Sequence, residues 1–512
     1  MNDPRIADAL ARLPDYLGSH VRVSLVALAL GLAVSIPLAF VCVRRPTLRA
    51  VALALTSIVQ TIPGLALLAL FYPVLLAAAA LSERAFGIGF PALGLLPSVL
   101  ALALYSMLPV LRNTITGLMG IDPAVREAAL GVGMTPRQSL RMVEWPLALP
   151  VIMAGIRTAA VWVIGTATLA TPIGQTSLGN YIFTGLQTQN WVFVIAGCIA
   201  AAVLALAVDQ LLALIERGVT RRSRARVAAG AVGVLLIAAL AVLPNVGRGK
   251  AGYVIGAKPF AEQYILAALI EQRLNARGLN ASRREGLGSA VVFEALAAGD
   301  IDVYVEYTGT IWTNFMKRSD VKPRAEVLEE VARWLKATHG ITLAGGLGFE
   351  NAYALAVTGA RAQALSLKSV GDLARHAGEL TIAGDYEFFG RPEWQALRQA
   401  YGLAFRAQRT MQPEFMYPAV AAGEVDVISA YTSDGRVAQF RLRVLDDDRQ
   451  AIPPYDAVLL VSPKRSEDAA LIEALRPLTN ALTIETMRDA NRRAQTETPE
   501  AIARALSERI GR

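Results

Sequence analysis

Hydrophobic positions are spread unevenly along this chain. Between about residues 21 and 244 they form long, nearly unbroken runs, and after Gly252 they form short clusters. A helix of about 20 apolar residues crosses the hydrocarbon core of a bilayer. The long runs are 21–43, 51–80, 92–119, 147–172, 190–216 and 227–244, the last marginal in length. The pattern therefore predicts an α-helical transmembrane bundle of about six spans. Gln60, Thr61 and Pro63 interrupt the second run, and Pro109 interrupts the third. A proline frees backbone carbonyls, which neighbouring helices or a water-filled path must satisfy. Arg157 lies inside the fourth run. Such a charge faces the bundle interior, near a translocation path, or else snorkels to the interface or makes a structural hydrogen bond, and both readings stay open.

The second half alternates strand-like and helical patterns. Tyr253–Gly256, Ile301–Val305, Ala352–Val357, Leu380–Ala383 and Val425–Ser429 read as strands, and 261–276 reads as an amphipathic helix. Strands separated by helical patterns predict two α/β lobes with parallel-rich sheets. Ligands of such folds bind between the lobes.

Basic residues in short loops set orientation. Arg44, Arg45 and Arg49 follow the first run. Arg126, Arg137 and Arg141 lie between the third and fourth. Arg217, Arg221, Arg222, Arg224 and Arg226 precede the last. With six spans these loops share the cytoplasmic side, so the N-terminus and everything after about 245 fall outside. The net charge of +8 is then largely topological, and no basic stripe interleaved with aromatics points to nucleic acid. The run 21–43 is too long for a cleavable signal peptide and lacks an Ala-x-Ala exit. Cys42 and Cys198 both lie in apolar runs, and His20, His339 and His376 show no ligand spacing. No metal site and no cofactor is expected. No G-x-x-x-x-G-K-[ST] occurs, so ATP would have to be hydrolysed on another polypeptide.

Between the third and fourth runs the chain reads Glu127-Ala128-Ala129-Leu130-Gly131-Val132-Gly133, leading to Trp145-Pro146-Leu147-Ala148-Leu149-Pro150. This resembles the coupling loop of ABC importer permeases. The resemblance implies a short helix at about 119–146 that docks on a cytoplasmic ATPase. Small residues at Ala128, Ala129 and Gly133 would allow close backbone approach, and Glu127 could pair with a basic residue of the ATPase. The uncharged stretch Pro172–Gly179 resembles the outer-face turn of these permeases, which makes it a candidate gate or a plain loop.

Four motifs in the second half occur in the order of one binding-protein family. They are Gly256-Ala257-Lys258-Pro259-Phe260-Ala261-Glu262-Gln263, Val305-Glu306-Tyr307-Thr308-Gly309-Thr310, Asn351-Ala352-Tyr353-Ala354 and Ala430-Tyr431-Thr432-Ser433-Asp434-Gly435-Arg436. They resemble substrate-binding proteins of the glycine betaine, carnitine and choline group, fused here behind a permease. A quaternary ammonium donates no N–H bond and is held by the negative faces of aromatic rings, about 0.5–2 kcal/mol each. By family position the resemblance implies an aromatic cage of Tyr307, Tyr353, Tyr431 and Tyr455, with Tyr417 in second rank. It also implies a polar end of Lys258, Gln263, Thr310, Asn351 and Arg391, in which Arg391 can hold a carboxylate bidentately. Asn351 stands where some family members carry Asp, which removes an anion from the ammonium's surroundings.

These readings predict a permease domain over 1–226, a last span and tether over 227–249, and a binding domain over 250–512. The expected lobes are about 252–350 with 455–512, and about 351–454. The implied protein is a multi-pass subunit of the bacterial inner membrane with its binding domain on the periplasmic or extracellular side. It would work with two ATPase copies, with a second permease half as a homodimer, with membrane lipid and with a betaine. Ergothioneine and carnitine are the alternative ligands. A receptor or channel with the same ectodomain is a different class, against which the coupling loop argues, since a channel docks no ATPase. An enzyme is disfavoured because no nucleophile–base pair appears.

Overall fold

A computed structural model of the chain describes residues 4–87, 90, 92–187, 190–241, 252–318 and 320–511. The chain divides into two compact units. One comprises 1–183 with 192–249, and the other comprises 184–191 with 250–512.

The first unit is helical. Five of its described helices are long and apolar enough to cross a membrane, not six. The helix Arg224–Leu240 has 17 residues, and the expected end of that run, 242–244, lies outside the described residues. The predicted tether to 249 lies outside them as well. The first helix is longer than its apolar run and spans Pro4–Arg44. Its extra turns are held by Ala9, Leu13, Tyr16 and Leu17, which pack against Tyr181 and Phe193. Tyr16 meets Tyr181 edge-on at 4.8 Å between centroids. An Asp8–Arg12 pair at 3.1 Å occupies successive turns of the same helix, as i,i+4 neighbours can.

The run 51–80 is not one helix but two, Pro46–Thr61 and Gly64–Phe86. Ile62 between them is extended (φ −71°, ψ 127°), as the residue before a proline prefers. The break is satisfied from the neighbouring helix Leu95–Met119. The Tyr105 hydroxyl donates to the Ile62 carbonyl, and Gln60 Nε2 donates to the Tyr105 carbonyl at 3.2 Å.

Helix Leu95–Met119 is packed between Pro4–Arg44 and Trp145–Ala167, and glycines set both crossings. A Cβ on Gly31 would lie 1.8 Å from Ser106 Oγ, and one on Gly155 would lie 2.7 Å from the Pro109 carbonyl. Small residues let membrane helices approach this closely where no hydrophobic force drives them together. Arg157 does not snorkel. It chelates Asp209 through Nε (2.9 Å) and Nη2 (3.0 Å), and it reaches Glu216 through Nη1 (3.0 Å). Asp209 and Glu216 lie two turns apart on helix Trp191–Thr220, so the arginine ties that helix to Trp145–Ala167.

The stretch 168–180 is a folded turn. Residues Thr168–Ile173 form a 3₁₀ helix ended by Gly174 at φ 81°. Asn180 Oδ1 accepts from the Ser177 amide at 2.8 Å, and the Leu178 amide donates to His20 Nδ1 at 3.3 Å.

The second unit holds two five-stranded sheets. Strands β1 (Tyr253–Gly256), β2 (Ala281–Arg284), β3 (Val303–Tyr307), β4 (Thr342–Glu350) and β10 (Asp456–Val461) form one, ordered β2-β1-β3-β10-β4. Strands β5 (Tyr353–Thr358), β6 (Thr381–Gly384), β7 (Ala407–Thr410), β8 (Val427–Tyr431) and β9 (Leu442–Val444) form the other, ordered β7-β6-β8-β5-β9. The sheets are mixed rather than parallel-rich. In each, three strands pair in parallel, and the remaining two join antiparallel. The antiparallel strands flank the two segments where the chain crosses between sheets. Helix Ala261–Ala276 has the expected bounds but not the expected one-sided face. Glu262 to Ile270 are all buried, because helices from the far C-terminus, Ile484–Arg493 and Pro499–Ile510, cover its second side.

Gly179 offers a test of the membrane turn. A Cβ there would lie 1.9 Å from the Thr168 carbonyl oxygen. Gly179→Ala is expected to cost about 1–3 kcal/mol through overpacking, read as a lower thermal midpoint of the full chain in detergent. An unchanged midpoint would contradict this packing.

Candidate functional site

The strand ends carry the site. Tyr307 ends β3, and Tyr431 ends β8, where it stands in register with Tyr353 of β5. Tyr455 immediately precedes β10, and its carbonyl accepts from the Asn351 amide at 3.0 Å. These positions bring Tyr307, Tyr353, Tyr431 and Tyr455 to the wall of one cavity of about 790 Å³, together with Lys258, Thr310, Asn351 and Arg391. The Tyr353 ring lies 4.9 Å from that of Tyr431 and meets Tyr455 edge-on at 5.9 Å. Gly309 makes room for Tyr455, since a Cβ there would sit 2.2 Å from that ring.

Two expected members stand elsewhere. Gln263 lies behind the wall, where Nε2 donates to the Val305 carbonyl (2.9 Å) and the Tyr307 hydroxyl (3.2 Å). It holds Tyr307 in place rather than lining the cavity. Tyr417 is buried in a separate cluster of the second sheet. Its hydroxyl donates to Asp434 at 2.8 Å, and the Arg436 guanidinium covers its ring at 4.1 Å.

The cations are also not as free as the sequence suggested. Lys258 is ion-paired with Glu306, both fully buried, and lies 5.2 Å from the Tyr307 centroid. The sequence read Glu306 as part of a strand motif and gave it no role. Yet a charge in the otherwise apolar strand Val303–Tyr307 has to find a partner when buried. Arg391 donates through Nη2 to Glu387, and its Nη1 lies 3.8 Å from Glu393. Among the described residues its Nε and Nη1 have no hydrogen-bond acceptor, although the side chain is 6% exposed. Two buried donors therefore remain for an acceptor in the cavity. The guanidinium covers Tyr353 at 5.1 Å.

Carboxylates are what sequence reasoning missed. Glu262 accepts from the Tyr307 hydroxyl (2.5 Å), Asn351 Nδ2 (3.0 Å) and Asn491 Nδ2 (2.8 Å). Asp385 accepts from the Tyr431 hydroxyl at 3.2 Å, and Glu393 accepts from the Tyr455 hydroxyl and from Thr313 Oγ1 at 2.8 Å. Burial pushes the carboxyls of Glu262 and Asp385 above their ordinary range, although their hydrogen-bond donors oppose this. Burial also raises the phenols of all four wall tyrosines. The signal was available, since Glu262 lies in a motif already singled out and Glu393 stands two residues from Arg391.

The Glu127-Ala128-Ala129 segment of the first unit folds as a short helix, Pro123–Gly131, capped by Asp122, which accepts from the Ala124 amide at 2.9 Å. Glu127 and Ala128 are exposed, and so are Leu130, Val132 and Met142. Ala129 is buried within its own unit instead of being offered to a partner. Gly133 takes φ 81°, a conformation that favours glycine. Arg126 anchors the segment through Glu144 at 3.1 Å.

Two family models match the chain along its length. Residues 252–508 match the substrate binding domain of ABC-type glycine betaine transport systems, and residues 31–221 match the inner membrane component of binding-protein-dependent transport systems. The chain belongs to the ABC-type glycine betaine transport family. It joins a permease and a binding domain, so it is a membrane protein and a transporter subunit. The ergothioneine transport permease/ergothioneine binding protein EgtU of Helicobacter pylori (strain G27) is 29% identical over 484 residues, 90% of this chain and 84% of that protein. The choline transport system permease protein OpuBB of Bacillus subtilis (strain 168) is 41% identical over 201 residues, 39% of this chain and 85% of that protein. Among solved structures, a glycine betaine/carnitine/choline ABC transporter is 26% identical, with a TM-score of 0.46, and matches over 51% of this chain and 100% of its own.

The transporter's binding domain also carries a pH-dependent element. Burial pushes the Asp434 carboxyl up, but Arg436 and the Tyr417 hydroxyl outweigh it, and the net effect holds it below 3.8. A depressed carboxyl adds stability above its unfolded value and loses it as pH falls through its folded value. Asp434→Asn should therefore cost about 3 kcal/mol at pH 7 by removing the anion from its buried contact with Arg436. The gap to wild type should close as pH falls through the depressed folded value of Asp434. Thermal unfolding of the full chain across pH measures both, and a gap that persists at low pH would refute the assignment.

Proposed function

We propose that this chain is the membrane-and-binding subunit of an ATP-driven importer for a small trimethylammonium zwitterion, glycine betaine or a related betaine. The observation that carries this is the pairing, in one cavity, of four tyrosine rings with two unsatisfied donors on Arg391. Aromatic faces suit a head that cannot donate hydrogen bonds. Buried guanidinium donors without acceptors suit a carboxylate. The proposed site is Tyr307, Tyr353, Tyr431 and Tyr455 around the ammonium, with Arg391, Thr310 and Asn351 at the polar end. Lys258 acts through Tyr307 rather than on the carboxylate, because Glu306 neutralises it. The proposed lobes, 252–350 with 455–512 and 351–454, each contain one of the two sheets.

ATP hydrolysis is assigned to two copies of a separate cytoplasmic ATPase, docked at Pro123–Gly131 of two permease copies. The exposed Leu130, Val132 and Met142 beside Glu127 form an apolar surface suited to that contact. The subunit is placed in the bacterial inner membrane with its binding domain outside. A larger betaine is the second reading. The cavity of about 790 Å³ exceeds what a trimethylammonium group needs, and the relative named for ergothioneine aligns over both halves.

Choline carries the same head without a carboxylate, so it leaves the Arg391 donors unpaired. Glycine betaine should bind the full chain in detergent at least about tenfold more tightly than choline, which is about 1.4 kcal/mol. Arg391→Ala should remove most of that preference. Calorimetry reads both, and equal binding by wild type, or an undiminished preference in the variant, would show the carboxylate end to be misassigned.

Coupling is tested separately in proteoliposomes. Gly133→Asp or Glu127→Lys should abolish uptake and ATPase stimulation while leaving ligand affinity unchanged. Transport that survives either change at normal expression would exclude this segment as the docking element.

A further inference from the structure

We propose that the carboxylates of Glu262, Asp385 and Glu393 set the site's preference for a cationic ligand head, acting through the phenols of Tyr307, Tyr431 and Tyr455. This rests on the trimethylammonium reading above and names the positioning residues behind it.

The bonding pattern repeats around the cavity. Tyr307 donates its hydroxyl to Glu262 at 2.5 Å, Tyr431 donates to Asp385 at 3.2 Å, and Tyr455 donates to Glu393. All three acceptors are buried. A hydrogen bond to an anion in a low-dielectric interior polarises its donor. For a phenol, this moves electron density onto the ring and makes its faces more attractive to a cation. The carboxylate charge adds a direct attraction that water does not screen well at such a site.

The same domain shows what this arrangement does when a cation is at hand. Tyr417 donates to Asp434 at 2.8 Å, with Arg436 over its ring at 4.1 Å. Tyr253 donates to Asp468 at 2.9 Å, with Arg465 over its ring at 4.5 Å. Tyr401 donates to Asp447 at 2.5 Å, with Arg449 over its ring at 5.1 Å. Each of these tyrosines holds a guanidinium on its face and a carboxylate on its hydroxyl. In the cavity, Tyr307 follows the pattern with Lys258 at 5.2 Å. Among the described residues, no arginine or lysine covers the ring of Tyr431 or Tyr455. Those two rings have the carboxylate but no cation over the face, the nearby Arg391 standing at the edge, 3.8 Å from Glu393, which leaves the faces for a cation from the ligand.

The test compares glycine betaine with 3,3-dimethylbutyrate, which has the same shape and carboxylate but a neutral carbon in place of the ammonium nitrogen. Calorimetry on the full chain in detergent gives the ratio of the two dissociation constants. Wild type should favour betaine by at least about tenfold. Glu393→Gln and Asp385→Asn should each shrink that ratio by about threefold or more, within the range of a single cation–ring contact. Should Glu393→Gln fail to fold, Tyr455→Phe keeps the ring and cuts its link to the carboxylate, and it should shrink the ratio likewise. If the carboxylates only held the rings in place, both ligands would weaken together and the ratio would stay constant, which overturns the inference. A wild type that binds neither compound overturns the trimethylammonium reading, and this inference with it.

Discussion

A carboxylate taken out of water must be given donors, or its burial costs several kcal/mol. The binding domain buries Glu262, Glu306, Asp385 and Glu393 at or just behind the cavity wall, and much of the site follows from supplying their donors. Tyr304 and Lys258 serve Glu306, the Phe388 amide and Tyr431 serve Asp385, and Thr313 and Tyr455 serve Glu393. The bonds that compensate the charges are the bonds that fix the rings. Some also run between the sheets. Glu393 begins the helix Pro392–Tyr401 beside the second sheet, while Thr313 and Tyr455 belong with the first. Assembling the tyrosine wall and joining the two sheets thus share contacts.

The membrane half obeys a different rule. No water is available there, so every freed backbone group needs a protein partner. The Ile62–Pro63 break is tolerated because the Tyr105 hydroxyl provides one for the Ile62 carbonyl, while Gln60 in turn donates to the Tyr105 carbonyl. Close packing comes from glycines that cannot be enlarged, at positions 31 and 155. The single charge on the fourth span is held by two acids on one face of Trp191–Thr220. Arg157 therefore acts as a cross-brace between helices.

What the sequence revealed divides along the range of the interactions. Local periodicity placed β1 and the helix Ala261–Ala276 at their observed bounds and located β3, β5, β6 and β8 within two residues. Eight of the nine expected ligand residues line one cavity, six of them from the four motifs. Long-range pairing was not legible. That β10 runs antiparallel between β3 and β4 joins residues more than a hundred positions apart. That Ala261–Ala276 is covered on both sides depends on helices near the C-terminus. The break at Ile62 was flagged by Pro63, but hydropathy carried the run across it. The partners of Arg157 were within reach, since acids two turns apart on an apolar helix share a face.

The buried acids also bear on how the domain responds to ligand. Without a cation in the cavity, Glu262 and Asp385 sit where burial pushes them toward their protonated forms. A bound ammonium favours the ionised forms and strengthens the contacts that the phenols make with them. A ligand shifts a conformational equilibrium only by as much as it binds one state better than the other. In the proposed site the difference would come from buried carboxylates beside rings that both sheets contribute. A neutral ligand of the same shape would fill the space without relieving the charge. On the proposed reading the wall would be stabilised by the cation in particular, a distinction by which a transporter separates a loaded domain from an empty one.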